Sequence, residues 1–470
     1  MPVRLKNKFN FLMVIFFIIS IITVHAQLPR LIILTDIGQD PDDQQSMVRL
    51  LHYANEFRIE GLIATADNNS ENEAPVIHDE IIHKLISDYK KSEVNFNKQA
   101  KGFPTAEYLH SVVKKGNDKG GASVPLENFV GSGNDTEGSE WIIKVVDRET
   151  DQPVCVSVWG GACDLAQALW KVKNNRTHEE VDAFIQKLRV YFIGKQDASN
   201  QWIIDNFRNL WLILALDRGE DKWQSGYRGM FWGGDMSNTS KEWIYKYIHG
   251  HTALANNYPD KTYTGGVGKN PNMALKEGDT PSMLFFLPNG LNVPDHPEWG
   301  GWGGRYIPEK PHFYRDASDT FFDVSLGKEI KSPRATVYRW RNDFQNDFAA
   351  RIQWGATPDF QKVNHNPVII LNGKTSINPL FINVSEKQTI NLDASESSDS
   401  DGNQLSFEWL LYREAGTFKG NVLITTNQKG RAGITIPEDS RGKQFHIILR
   451  VTDSGTPRLC SYKRIIFYVQ

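Results

Sequence analysis

Cysteine, excess charge of one sign and bilayer-length apolar stretches are all scarce in this sequence, and each scarcity closes off a class of protein. Its three cysteines, Cys155, Cys163 and Cys460, are too few and of the wrong parity for a disulfide framework, and read as small buried apolar residues. No Cys-x-x-Cys or His-Glu-x-x-His spacing is present, which disfavours zinc. The histidines are scattered and no Gly-x-Ser-x-Gly elbow occurs, so a serine-hydrolase triad has no support. Lys and Arg total 53 against 56 Asp and Glu, a formal charge of -3, which argues against nucleic acid as a ligand because that affinity comes largely from basic side chains at phosphates.

The first segment reads as an address. Arg4, Lys6 and Lys8 precede an apolar run over 11–24, and Val24-His25-Ala26 supplies a small-residue cleavage pattern, so residues 1–26 are expected to be a cleaved export signal. The run is short for a membrane anchor and no later stretch is long enough to span a bilayer. The mature chain is expected to begin near Gln27, to carry a charge of -6 after loss of the three basic residues, and to reside in the periplasm or outside the cell.

A chain of 470 residues exceeds one ordinary core, and two folded units are expected. Between 31 and 214, short apolar runs at 31–34, 59–66, 153–159, 190–194 and 210–214 alternate with helical spacing such as Met47, Leu50, Leu51 and Ala54. That pattern predicts an α/β unit over 27–364, a mostly parallel sheet flanked by helices, with its site beyond the carboxyl ends of the strands. Composition changes at Asn364-His365-Asn366-Pro367. From there short strands and turns predict an all-β sandwich over 365–470, and the break predicts that the first unit folds without the second.

The most informative segment is Leu31 to Asp43, where Asp36, Asp40, Asp42 and Asp43 crowd within eight residues at the end of a buried strand. Like charges placed so close raise one another's pKa, and a hard cation such as calcium relieves that cost. A solvated acidic turn, with Asp42 or Asp43 capping the next helix, is the competing reading. The segment resembles the calcium-holding Asp-x-Asp-x-x-x-Asp-Asp motif of nucleoside hydrolases. The resemblance implies Asp36, Asp42 and Asp43 as metal ligands, with Asp40 a rival to Asp36 because the loop is longer here. It places a sugar-binding asparagine at Asn68 or Asn69, a ligating carbonyl at Trp159 in the Trp159-Gly160-Gly161 turn, and the last ligand at Asp279 in Glu277-Gly278-Asp279. Asp279 as a simple helix cap competes with that role.

Nearly the whole mature chain is similar to bacterial exported nucleoside-hydrolase-like proteins, some labelled cellulose-binding, that carry a C-terminal immunoglobulin-like domain. The likeness rests on segments 35–46, 159–169, 277–291, 297–305 and 340–354. It implies calcium-dependent hydrolysis of an N-glycosidic or related glycosidic bond in a nucleoside or carbohydrate, with Asp36 or Asp40 taking a proton from the attacking water. The alternative is a non-catalytic, calcium-assisted carbohydrate-binding protein. One departure stands out: Gly278 occupies the position where purine-cleaving members often place an acidic histidine. Trp299 and Trp302, with Arg305 in the same glycine-rich loop, are candidate substrate contacts, or else anchors of that loop. Asp197 is either a further substrate contact or the start of a turn. The stretch 392–402 is similar to polycystic-kidney-disease and cadherin-like sandwiches, and its acidic turn lacks the glutamate of a calcium-binding EF-hand, Leu410 standing there.

Overall fold

The computed structural model describes residues 27–38, 41–66, 76–219, 221–260, 274–427 and 429–470, so the expected export signal lies outside the described residues. The chain enters on β1 (Arg30–Thr35), whose six residues are all buried. Arg30 survives there because Glu60 lies 2.9 Å away and backbone carbonyls accept its remaining donors. Helix α1 (Pro41–His52) follows, with Pro41 in the first turn, where a missing amide proton costs nothing, and Asp42 and Asp43 beside it.

Strands β2 (Arg58–Ala64), β3 (Val113–Lys115), β4 (Val154–Val158), β5 (Leu188–Phe192), β6 (Trp211–Leu214), β7 (Tyr306–Lys310) and β8 (Phe313–Asp316) complete an eight-stranded sheet in the order β3-β2-β1-β4-β5-β6-β8-β7. All neighbours run parallel except the β7–β8 edge pair. The five expected strands are present within two residues at either end. The short β3, the β7–β8 edge and the small hairpin of β9 (Asp319–Asp323) and β10 (Lys328–Ser332) carry no long apolar run and were not expected. The chain winds from β1 to β2 and β3 on one side, then crosses to β4, β5 and β6 on the other. A crevice therefore opens beyond the carboxyl ends of β1 and β4, where Leu34 pairs with Val158. Helices α2 (Cys163–Asn175), α3 (Ala198–Asn206), α4 (Thr280–Phe286) and α5 (Arg341–Ala356) frame that crevice or brace the unit behind it. Among the described residues no helix is long and apolar enough to cross a membrane.

The C-terminal unit is an immunoglobulin-like sandwich. Strands β11 (Leu380–Val384), β13 (Ser406–Leu411), β16 (Gln444–Thr452) and β17 (Cys460–Val469) form one sheet in the order β11-β17-β16-β13. The other sheet is β12 (Thr389–Asp393), β15 (Arg431–Thr435) and β14 (Leu423–Thr426). Its core holds Trp409, Ile434, Phe445, Ile447, Leu449, Ile465 and Phe467.

The outer face of the four-stranded sheet packs on the α/β unit, and Tyr412, Ile448, Tyr462 and Ile466 belong to the same apolar core as Trp299, Trp302 and Trp340. This corrects the expected substrate contacts in the glycine-rich loop. Trp299 and Trp302 are not substrate contacts but buried anchors of the seam: Trp302 donates from Nε1 to Tyr462 Oη at 3.2 Å, and Trp299 meets His446 edge-on. Arg305 is spent as well, because it pairs with Asp319 at 2.7 Å while Asp319 also accepts from Arg339 and from Tyr412 Oη. A Cβ at Gly300 would lie 2.4 Å from Tyr412 Oη, so the glycine-rich loop exists to let the units approach. A shared core also argues against independent folding of the first unit, since its removal from the sandwich would expose three tryptophans. Cys155, Cys163 and Cys460 are free and buried, as read from the sequence.

Candidate metal centre

Two elements deliver three carboxylates to one point. The first turn of α1 supplies Asp42 and Asp43, and the turn before α4 supplies Asp279; one oxygen of each lies within 4.8 Å of the others. Thr35 Oγ1, from the end of β1, donates to Asp43 Oδ1 and fixes its rotamer. Lys276 Nζ stands 3.5 Å from Asp42 Oδ1 and offsets part of the charge. Asp279 stands at the N-cap position of α4, but its side chain makes no capping hydrogen bond, and its Oδ2 is buried without a hydrogen-bond partner. The helix-cap reading of Asp279 thus fails. Burial, followed by the charges of Asp43, Asp42 and Asp36, pushes the Asp279 carboxyl well above the usual carboxylate range. A partnerless buried oxygen among acidic neighbours is the donor set a hard divalent cation takes, so the residues present fit calcium.

The Asp279 turn is held under tension. Glu277 adopts φ +27°, a conformation a residue with a side chain rarely takes, and is fully buried. It is over-determined by contacts: Arg49 donates from Nε at 2.6 Å and Nη2 at 2.9 Å, Thr280 Oγ1 donates at 2.7 Å, and Tyr258 Oη adds another. Gln45, also on α1, accepts the Glu277 and Lys276 amides. Sequence reasoning missed this clamp because Arg49 reads as an ordinary polar position on an amphipathic helix.

Across the crevice, Asp36 leaves β1 and lies against the turn after β4, where a Cβ at Gly160 would sit 2.4 Å from its Cγ. Asp197 closes the same side from α3. Its Oδ1 accepts from the Ser199 amide at 2.8 Å, and its Oδ2 is buried against the Gly161 backbone. The turn-start reading of Asp197 holds, since it is the N-cap of α3, and its position on the crevice wall leaves the substrate-contact role as a proposal; burial raises its pKa. Asp36, Gly161, Cys163, Gln196 and Asp197 line a cavity of about 30 Å³, enough for one ordered water. The Trp159 carbonyl reaches this side too, but it accepts from Gln196 Nε2, leaving one lone pair for any other role. Gln196 was not anticipated.

A Cβ at Gly278 would lie 3.1 Å from Asp42 Oδ2 and 3.5 Å from the Tyr227 ring. Tyr227, another residue the sequence did not flag, is buried beside the cluster, and burial, aided by Asp42 and Asp279, pushes its hydroxyl up to about 12. It is therefore a neutral phenol at physiological pH. His296 is stacked on Trp299 at the seam, 3.7 Å between centroids. Asp40, Asn68 and Asn69 lie outside the described residues.

Residues 30–306 match the nucleoside hydrolase-like domain of cellulose-binding Sde182, and residues 389–469 match the C-terminal domain of cellulose-binding protein Sde0182. The chain belongs to this nucleoside hydrolase-like family. A solved Saccharophagus degradans structure, described as a nucleoside hydrolase-related hypothetical protein associated with carbohydrate metabolism, is similar at 33% identity, with a TM-score of 0.76, over 94% of this chain and 100% of that one. Weaker likenesses cover a smaller share of the chain: human CDH23, 14% identical over 22% of this chain and 35% of that one, TM-score 0.17, and the PKD domain of the KIAA 1837 protein, 17% identical over 20% and 81%, TM-score 0.15. No curated protein matches the chain. In this member of the Sde182-like family the aspartate cluster is built from the first turn of α1 and the turn before α4.

Proposed function

We propose that this protein is an exported, calcium-dependent hydrolase of an N-glycosidic, or related glycosidic, bond in a small sugar-containing ligand. The observation that carries the reading is the buried, partnerless Asp279 oxygen facing Asp42 and Asp43 at the topological switch of a nucleoside hydrolase-like sheet. Asp42, Asp43 and Asp279 would hold the cation, with Asp36 and the Trp159 carbonyl the further ligands that the family resemblance implies. When bound, calcium would supply ligation of vicinal sugar hydroxyls and polarisation of water. Asp36, on the wall of the water-sized cavity, takes the proton of the attacking water, with Asp40 the alternative base. The remaining carboxylates stabilise positive charge developing at the anomeric carbon.

Two observations favour a second reading, a non-catalytic carbohydrate binder. Gly278 puts no acid beside Asp279 to protonate a leaving group, and the family's description is cellulose-binding. In that case the cation orients sugar hydroxyls and no bond breaks.

Rates on inosine and on an activated aryl riboside, at saturating calcium and after chelation, separate the two. General acid catalysis is worth about 10² to 10⁴-fold. A hydrolase lacking that acid cleaves the aryl riboside faster than inosine by a factor of that order, and loses both activities on chelation. Cleavage of neither substrate, with saturable binding of a glucan, refutes catalysis and leaves the binding reading.

A further inference from the structure

The seam-facing side of the four-stranded sheet runs past the edge of the α/β unit, and what it leaves uncovered is aromatic. Phe381 on β11 is 55% exposed and Tyr468 on β17 is 36% exposed. Their rings are nearly parallel, 21° apart, with centroids separated by 6.2 Å. The row continues inward, since Phe381 lies 6.3 Å from Trp299, on which the His296 ring is stacked. Register places Asn383 and Gln444 directly beside Tyr468 on neighbouring strands, hence on the same face.

We propose that this strip, Phe381 and Tyr468 flanked by Asn383 and Gln444, is a docking surface for an extended, neutral β-linked glucan. The proposal rests on the carbohydrate reading above and gives it a second location, apart from the aspartate cluster. Three features select this ligand. Pyranose rings carry axial C–H faces that pack on aromatic side chains, and an all-equatorial β-glucan is flat enough to meet two rings in succession. Amide side chains offer both donors and acceptors to the hydroxyls at the chain's edge. The acidic groups at the inner end are each paired, Glu298 with His296 at 3.0 Å and Asp295 with Arg189 at 3.5 Å, so the strip sits beside offset charges that suit a neutral polymer better than an ionic one. The strip is also continuous with the domain seam, so its backing is rigid.

The test uses the full-length protein in native gels containing hydroxyethyl cellulose, in parallel gels containing carboxymethyl cellulose, and in depletion assays on insoluble cellulose. The double variant Phe381→Ala/Tyr468→Ala is expected to bind the neutral glucan on the order of ten-fold more weakly, with unchanged melting temperature. Phe381→Leu/Tyr468→Leu, which keeps apolar area and strand propensity but removes the rings, is expected to lose binding similarly. The carboxymethyl polymer is expected to bind more weakly than the neutral one. Wild-type affinity in both double variants overturns the strip while leaving carbohydrate binding intact, as does loss of binding in Asp43→Ala alone, which would put the ligand at the aspartate cluster. Absence of wild-type binding to every glucan overturns the strip and the carbohydrate-binding reading together.

Discussion

Arg49 and Glu277 form a forked, fully buried ion pair that ties the turn carrying Asp279 to the helix carrying Asp42 and Asp43. Neither residue is a candidate ligand, yet the pair sets the distance between the two halves of the cluster. Removing one partner leaves the other charge buried and uncompensated, which typically costs about 3–5 kcal/mol. Arg49→Met is therefore expected to destabilise the protein by about that much, measured by chemical denaturation, and to weaken calcium binding in calorimetry, because the Glu277 turn at φ +27° has lost its main restraint. Full stability in Arg49→Met contradicts the clamp.

A second expectation concerns acid. His52 is completely buried between Phe96 and Phe348, and burial holds its imidazole down to about 4. The unfolded chain binds a proton at His52 below about 6.5 that the folded chain refuses until about 4. The stability contributed by the neutral ring is thus present above 6.5 and is lost as the pH falls through that window, to a limit of about 3 kcal/mol. His52→Phe is expected to flatten the fall in melting temperature between pH 6.5 and 4 relative to wild type. Parallel pH profiles for the two proteins would exclude His52 as a source of acid sensitivity.

Much of the fold was legible because β1, β2, β4, β5 and β6 are continuous buried runs, which a parallel interior sheet demands. Edge and hairpin strands such as Tyr306–Lys310 and Asp319–Asp323 expose most of their residues and left no such signal. At the site, the crowding of Asp36, Asp42 and Asp43 was visible as sequence-local charge. Glu277, Tyr227 and Gln196 were not, because each acts through contacts across the fold. The tryptophan loop was legible as special but not as a seam, since aromatic residues with glycine suit a sugar and a neighbouring domain equally well.

The shared core yields a third expectation. A chain ending at Asn364 would lose Tyr412, Tyr462 and Arg464; Arg464 donates to the Leu291 and Gly300 carbonyls at 2.9 and 2.7 Å. Trp299, Trp302 and Trp340 would then face water, and the truncated protein is expected to aggregate or to bind hydrophobic dyes strongly. A soluble truncation with native-like near-ultraviolet dichroism contradicts this.

Asp43→Ala is expected to abolish calcium binding in calorimetry, because Asp43 joins the end of β1 to the cluster through Thr35. Unchanged affinity rules out Asp43 as a ligand.

The most direct test of the metal centre is thermal unfolding of wild type and Asp279→Asn, each with chelator and with saturating calcium. Asp279 is the buried acid whose neighbours oppose its ionisation, so without cation the amide relieves repulsion and is expected to melt at or above the wild-type temperature. A calcium ion held only by the native state is expected to stabilise wild type by about 3–4 kcal/mol at 100–1,000 times its dissociation constant, and Asp279→Asn by far less. Equal calcium shifts in the two proteins, or none in wild type, would contradict the account.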